Sequence, residues 1–325
     1  MKNTALTLVC FIALATLSLK SYSQIGISNI TEIEKIKKGT TYVAMKNPSD
    51  ESSKVFIEIF KKYWTISKIE FIKYSDIKNH ISPENSFFSV GGYMTDTQFI
   101  NSFGSGRGIH YEITHIYLEL WTCDEAYFKN TKPDKVFDTQ DKWEVGRIEL
   151  FTDFPTLSSP RNIYQSDYND WENHIRNWGP GILKNQLQAL MVLLQKGEKK
   201  SLYTSSFDEK QLKNLNTDTL FIPDYVMTKF NKFSGDESEF HKQKDLFEDY
   251  NLPYKIITKE QLNNKIITDK NGFYYMIYIK SSTDKYISII NSLTGEIVYS
   301  KYSPVSYNIK PGDLKAIQKK ADPNN

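Results

Sequence analysis

Two stretches of this chain match without a gap: FIKYSDIKNHI at residues 71–81 and IITKEQLNNKI at residues 256–266. Their apolar positions coincide, and Asn79 falls on Asn264. Three shorter matches occur in the same order: residues 40–44 with 218–222, 85–88 with 271–274, and 180–184 with 311–315. Four matches in one order predict two related units in tandem. The alternative is that short β-α-β segments look alike because they share one pattern.

Hydrophobic spacing predicts an α/β fold in which each unit reads β-α-β-α-β-β-β-α and forms a mixed sheet. In the first unit, strands are expected at 41–45, 69–72, 87–90, 116–121 and 146–151, with a helix after Asp50. A strand-helix-strand unit of this length should pair its strands in parallel. The second unit repeats this order with strands at 219–222, 255–257, 273–280, 286–291 and 296–299, a helix ending near Tyr250, and a closing helix from Pro311.

A long helix is predicted to close the first unit. Leu183, Leu187, Leu190 and Leu194 lie on one of its faces, and Gly197 is placed to end it. Ala189, Val192 and Leu193 widen this apolar face, so we expect the helix to be deeply buried.

The first residues have the three parts of a signal peptide: Lys2, an apolar run from Ala5 to Leu19, and small residues at Ser21 and Ser23. We therefore expect a signal peptide at residues 1–24, a first unit at 25–200 with insertions near 92–113, 122–145 and 152–178, and a compact second unit at 201–325. The apolar run is too short for a lasting membrane span, and no later run reaches that length. We therefore expect no transmembrane segment after the signal is removed.

Charge and cysteine content restrict the partners. The chain has 41 basic and 39 acidic residues, a balance that argues against nucleic acid as a partner. Removal of the signal would leave Cys123 as the single cysteine, so no internal disulfide is expected. Asp124 and Glu125 beside this thiol should raise its pKa, which favours a structural role.

The segments 38–43, 62–65 and 286–299, with a signal ending in Ser23-Gln24, are similar to uncharacterised exported proteins of Bacteroidetes bacteria. The resemblance covers most of the chain after the signal. It implies a periplasmic or secreted location in the envelope of a Gram-negative cell, and it supplies no activity and no site residues.

His110, Glu112 and His115 form the densest group of residues that can bind metal or transfer protons. On a strand, His110 and Glu112 would share a face and His115 would point the other way. This spacing differs from the helical His-Glu-x-x-His pattern, and two ligands alone do not make a metal site. The three residues are weak catalytic candidates, against the alternative of a polar strand in a hairpin. The sequence predicts neither a metal site nor a cofactor.

Aromatic residues mark a second region. Tyr164, Tyr168, Trp171 and Trp178 lie among carboxylates and amides, a mixture that proteins use to stack on sugars or grip peptides. The alternative is that these rings pin a long insertion to its domain. A third region, Gly104–Gly108, has a glycine content suited to anion binding, but its flanks favour a hairpin tip over a phosphate loop.

No serine-hydrolase motif occurs in the sequence. The hypothesis from sequence is therefore an exported cell-envelope protein that binds or assembles with an envelope protein, a peptide or a glycan without catalysis. The alternative is a hydrolase-type enzyme that uses a cleft between the two units.

Overall fold

The computed structural model describes residues 24–99, 109–129, 136–153, 174–231, 237–239, 242–281, 284–306 and 308–322. Two six-stranded mixed sheets form its framework. The strands of the first sheet are β1 (Ile25–Ile27), β2 (Thr40–Met45), β3 (Lys68–Lys73), β4 (Ser86–Phe99), β5 (Ile109–Cys123) and β6 (Lys142–Leu150). The second sheet contains β7 (Ser206–Phe207), β8 (Leu220–Pro223), β11 (Tyr254–Ile257), β12 (Tyr274–Ser281), β13 (Asp284–Asn291) and β14 (Ile297–Ser303). A separate two-stranded pair joins β9 (Thr228–Phe230) to β10 (Glu237–Glu239).

Eight α-helices are present among the described residues: α1 (Ile33–Lys38), α2 (Glu51–Tyr63), α3 (Glu125–Lys129), α4 (Pro180–Lys196), α5 (Glu209–Leu212), α6 (Gln243–Leu246), α7 (Lys259–Thr268) and α8 (Pro311–Ala321). Within that same part of the chain, no helix is both long enough and apolar enough to span a bilayer.

The two sheets have the same topology, which confirms the α/β prediction of two tandem units. Read from one edge, the first sheet runs β3-β2-β4-β5-β6-β1 and the second runs β11-β8-β12-β13-β14-β7. In both, the first three strands pair in parallel and the remaining pairs are antiparallel. The parallel pairing of β2 and β3, predicted from the strand-helix-strand pattern, is also confirmed. The short strands β1 and β7, which the sequence analysis missed, occupy equivalent edges.

A β-bulge recurs at the same place in both sheets. One extra residue, Val145 in β6 and Val298 in β14, interrupts the pairing with the preceding strand. The carbonyl of Val145 accepts a hydrogen bond from the amide of Ser28 (3.1 Å), and that of Val298 accepts one from Asp208 (2.8 Å). Both donors directly follow the edge strand of their sheet. Because bulges are specific local features, this repetition supports a duplicated fold independently of the sequence matches.

Strand pairing corrects two parts of the sequence alignment, the match of 40–44 with 218–222 and that of 85–88 with 271–274. Thr41 pairs with Ile69, and Leu220 pairs with Tyr254, which is the counterpart of Ile69 in the ungapped match. Thr41 therefore corresponds to Leu220, whereas the alignment of 40–44 with 218–222 places Tyr42 there. A one-residue shift exchanges the two faces of a strand, and burial agrees with the corrected register because Thr41 and Leu220 are both fully buried. The second match is shifted by two residues, because Thr41 pairs with Ser86 and Leu220 pairs with Tyr274, whereas the alignment places Phe88 on Tyr274.

The helices diverge between the units. The helix predicted after Asp50 is α2, which buries Phe56 and Phe60. The helix predicted to end near Tyr250 is only the four-residue α6. The segment Tyr74–Asn79 is a 3-10 helix, whereas its counterpart α7 is a full α-helix. A capping box formed by Thr258 and Gln261 starts α7, and the corresponding Lys73 makes no side-chain cap.

Helix α4 lies between the two units, and twelve of its 17 residues are buried, as predicted. Val192, expected on the same face, is the exception, since it is 38 % exposed. It packs on α2 of the first unit and on α7 of the second. Its first turn is capped by the second unit, because the amide of Ile182 donates to Asn263 Oδ1 at 3.0 Å. In return, Lys184 Nζ donates to the carbonyls of Ile266 (3.1 Å) and Ser292 (3.2 Å).

Close packing at this contact requires glycine. A Cβ atom on Gly181 would lie 2.4 Å from the carbonyl oxygen of Asn263, and Gly179 has a φ of +148°. Positions 179 and 181, on either side of Pro180, therefore favour glycine.

We expect Asn263→Ala to destabilise the protein by about 1–3 kcal/mol, because the amide of Ile182 would be left buried without its acceptor. Urea unfolding monitored by circular dichroism measures this loss. Asn264→Ala, on the exposed side of the same helix, is the matched control and should change the free energy of unfolding by less than about 0.5 kcal/mol. Equal effects of the two substitutions would contradict the capping role of Asn263.

Candidate functional site

The two faces of the first sheet differ in character. Phe88, Leu118, Leu120 and Ile148 belong to the core on the helix side. Residues at alternate positions of β4, β5 and β6 form the opposite face: Ser89, Gly91, Tyr93, His115, Tyr117, Glu119, Arg147 and Glu149. This polar and aromatic face meets the end of β12 from the second sheet.

Ser281, the last residue of β12, joins the units through two contacts. Its Oγ lies 2.7 Å from Nδ1 of His115 and donates a hydrogen bond of 3.2 Å to Oε2 of Glu149. All three side chains are buried. Since the single hydroxyl proton of Ser281 goes to Glu149, the contact with His115 requires the imidazole to donate from Nδ1.

Arg147 balances the charge of Glu149 and is held between aromatic rings. Its Nε pairs with Oε1 of Glu149, and its guanidinium carbon lies 4.0 Å from the ring centroid of Tyr117 and 5.4 Å from that of Tyr93. Tyr93 stacks on His115 with centroids 4.2 Å apart and an angle of 16° between the rings. These contacts follow from strand register, because Tyr93 is directly opposite His115 and Tyr117 is opposite Glu149.

Further tyrosines extend this cluster across the junction between the units. Tyr203, in the connection between α4 and β7, makes an edge contact with Tyr302 at 5.1 Å. Tyr302 lies 5.4 Å from Tyr286. We define Tyr93, Tyr117, Tyr203, Tyr286 and Tyr302 as the tyrosine seam.

The duplication explains part of the tyrosine seam. Tyr117 pairs with Gly91 in the first sheet, and Tyr286 pairs with Ile279 at the equivalent place in the second. In the first unit this position needs a glycine neighbour, since a Cβ atom on Gly91 would lie 2.7 Å from the Tyr117 ring.

Burial shifts the pKa values of His115, Glu149 and Tyr302. Burial, followed by the charge of Arg147, lowers the pKa of His115 to about 4. Burial raises the pKa of Glu149, and the Arg147 guanidinium opposes that effect. Burial and the Asp284 carboxylate raise the pKa of Tyr302 to about 12, so its hydroxyl is protonated at neutral pH.

The contact between Ser281 and His115 differs from a catalytic triad. In a triad the acid orients the histidine, which takes the serine proton. Here Glu149 contacts the serine instead, Nδ1 of His115 faces the hydroxyl as a donor, and the lowered pKa makes His115 a weak base near neutral pH. The arrangement is suited to holding the two units together.

A second polar group, Lys280, lies on the neighbouring position of β12. Its side chain is 2 % exposed, and Nζ lies 3.0 Å from the ring centroid of Phe230. Burial lowers the pKa of Lys280 to about 6, with an opposing effect from Glu237. The small pocket at this lysine is lined by Phe151, Thr228, Phe230, Glu237, Tyr278, Lys280 and Asn308. Glu237 is paired with Arg176 at its margin.

The residues predicted from sequence are only partly brought together. His115 lies in the junction between the units, which gives it a role that the hairpin interpretation did not include. His110 and Glu112 lie on β5 with their backbones opposite Gln98 and Asp96, and their side chains are outside the described residues. Tyr164, Tyr168 and Trp171, together with the Gly104–Gly108 segment, also lie outside them.

Two other predicted residues are packed in the interior. Trp178 is 7 % exposed and stacks on Phe56 with centroids 5.5 Å apart, so its ring is a core contact. Cys123 is fully buried, and burial raises the pKa of its thiol to about 12. Burial, rather than the neighbouring carboxylates Asp124 and Glu125 named in the sequence analysis, is the main cause. Within the described part of the chain, no group of three or more His, Cys, Asp or Glu side chains is placed to bind a metal ion.

Arg147, Glu149 and Ser281 were not predicted from the sequence. The signal available for Arg147 and Glu149 was their place at alternate positions of a strand whose opposite face is apolar. Ser281 gave no comparable signal, since a serine at a strand end is common.

No protein-family model matches this chain, and no curated protein or solved structure matches it.

We expect His115 to titrate with a midpoint near pH 4 in a two-dimensional NMR titration of the imidazole. The unfolded chain takes up this proton near pH 6.5, whereas the folded chain takes it up only near pH 4. The free energy of unfolding therefore decreases as the pH falls from about 6.5 to 4. At 1.36 kcal/mol per pKa unit the loss is at most about 3 kcal/mol. The raised pKa of Glu149 acts in the opposite direction. The wild type should therefore be compared with His115→Asn over this range, and a His115 midpoint near 6.5 would contradict the buried arrangement.

Proposed function

We propose that this protein is an exported cell-envelope protein that acts as a non-catalytic binding module and takes its ligand at the tyrosine seam. The observation that carries the proposal is the exposure of two tyrosines from different parts of the chain at one junction. Tyr93 is 40 % exposed and Tyr203 is 52 % exposed. Aromatic rings with polar ends are suited to contacts that are part apolar and part hydrogen-bonded.

The electrostatics of Tyr203 support its position over the junction. Burial raises the pKa of its hydroxyl, with further effects from Tyr93, Arg147, Glu149 and Asp284. These groups belong to both units, so Tyr203 lies within electrostatic range of each of them.

The arrangement of Ser281 favours binding over the hydrolase alternative. The Ser281 hydroxyl is buried and directs its proton at Glu149 rather than at His115, so the serine-histidine pairing of a hydrolase is not formed. The near balance of charges along the chain favours a peptide, protein or glycan over nucleic acid as the ligand.

Export is supported by where the fold begins. β1 starts at Ile25, and the carbonyl of Gln24 accepts a hydrogen bond from the amide of Glu149 at 2.9 Å. All six strands of the first sheet therefore follow the expected cleavage site. Loss of residues 1–24 would remove the Gln24 acceptor and leave all the strand pairs of this sheet.

We expect a photo-crosslinking amino acid at position 203 to form an adduct with an envelope component in living cells. The crosslinked protein should be found in the envelope fraction and should begin near residue 24 by N-terminal sequencing. The matched control is the same substitution at Tyr74, a 51 % exposed tyrosine on another part of the first unit. An adduct pattern identical at 203 and 74, or an uncleaved protein in the cytoplasm, would refute the proposed function.

A further inference from the structure

We propose that the ligand of the tyrosine seam is an uncharged carbohydrate. This inference rests on the proposed function and adds the chemical class of the ligand. Three properties of the site carry it: an aromatic ring with one covered face, phenol groups that remain protonated, and ion pairs that are already complete.

The first property belongs to Tyr93. One face of its ring is stacked on His115 at 4.2 Å, while the side chain remains 40 % exposed. This contact fixes the ring plane, and the exposure of the side chain leaves ring surface for a ligand beside the Arg147 guanidinium, whose carbon lies 5.4 Å from the ring centroid. A sugar ring presents a flat array of C–H groups that packs on such a face, and a fixed platform reduces the entropy lost on binding.

The second property is hydrogen-bonding capacity at neutral pH. Burial raises the pKa of Tyr203, and burial together with Asp284 raises that of Tyr302 to about 12. A protonated phenol both donates and accepts, as a sugar hydroxyl does. The Tyr302 hydroxyl is already hydrogen-bonded to Asp284, so it can offer a ligand its oxygen as an acceptor. The rings of Tyr203 and Tyr302 are in contact, so these hydroxyl-bearing side chains border the same surface.

The third property concerns charge. Arg147 is paired with Glu149, and Lys142 Nζ lies 2.6 Å from Oε1 of Glu119 on the same face. Arg147 Nε is paired with Glu149, which is fully buried, so an anionic ligand that drew the guanidinium away would leave this carboxylate without its partner. Separation of a buried ion pair is strongly unfavourable. An uncharged ligand leaves both pairs intact.

The test is isothermal titration calorimetry on the chain from residue 24 with cellohexaose, xylohexaose and mannohexaose as uncharged probes. Hexagalacturonate serves as the anionic probe and uncharged decapeptides as the peptide probes. We expect at least one uncharged hexasaccharide to bind, with a Kd that changes less than about twofold between 50 and 500 mM NaCl because no charges are exchanged. Tyr93→Ala and Tyr203→Ala should each weaken binding by about five- to tenfold, the effect of one lost aromatic contact.

Two controls separate ring stacking from a loss of folding. Tyr93→Phe keeps the ring and should retain most of the affinity, and Tyr74→Ala should bind as the wild type does. The inference is overturned if no uncharged hexasaccharide binds, if hexagalacturonate or the peptides bind more tightly, or if neither alanine substitution weakens binding. In each of those outcomes, a specific crosslink at position 203 would still support the proposed binding function, so failures of the two proposals are distinguishable.

Discussion

The buried helix Pro180–Lys196 can exist only if its polar groups find partners away from water. The second unit supplies those partners, because Asn263 accepts from the first turn and Lys184 reaches the carbonyls of Ile266 and Ser292. An unpaired buried amide or ammonium is costly, so each unit depends on the other to satisfy it. The contact between α4 and α7 therefore sets the relative position of the two sheets, and with it the distance between His115 and Ser281.

The two units share a fold but differ at the positions where they contact each other. The order of the strands, the bulges at Val145 and Val298, and the tyrosines at 117 and 286 are repeated. Other equivalent positions differ: the opposed pair Tyr93 and His115 in the first sheet corresponds to Ser281 and Asp284 in the second. The contact of His115 with Ser281 thus joins two positions at which the units differ.

Much of the fold could be predicted from sequence because local patterns specify it. The spacing of Leu183, Leu187, Leu190 and Leu194 predicts α4 and its burial, and the order of the repeats predicts the shared topology. The pairing register could not be fixed from short matches, because shifting the alignment by one residue still places most apolar residues on apolar residues. The candidate site was largely out of reach: His115 and Ser281 are 166 residues apart, and Glu149 and Ser281 are 132 apart. Only the packing of the two sheets brings them together.

The central claim is that α4 makes the two units one cooperative structure. Differential scanning calorimetry of the chain from residue 24 tests it most directly. If α4 makes the two units unfold together, we expect a single transition in which the calorimetric and van't Hoff enthalpies agree. Two separated transitions, each with the enthalpy of one unit, would contradict it.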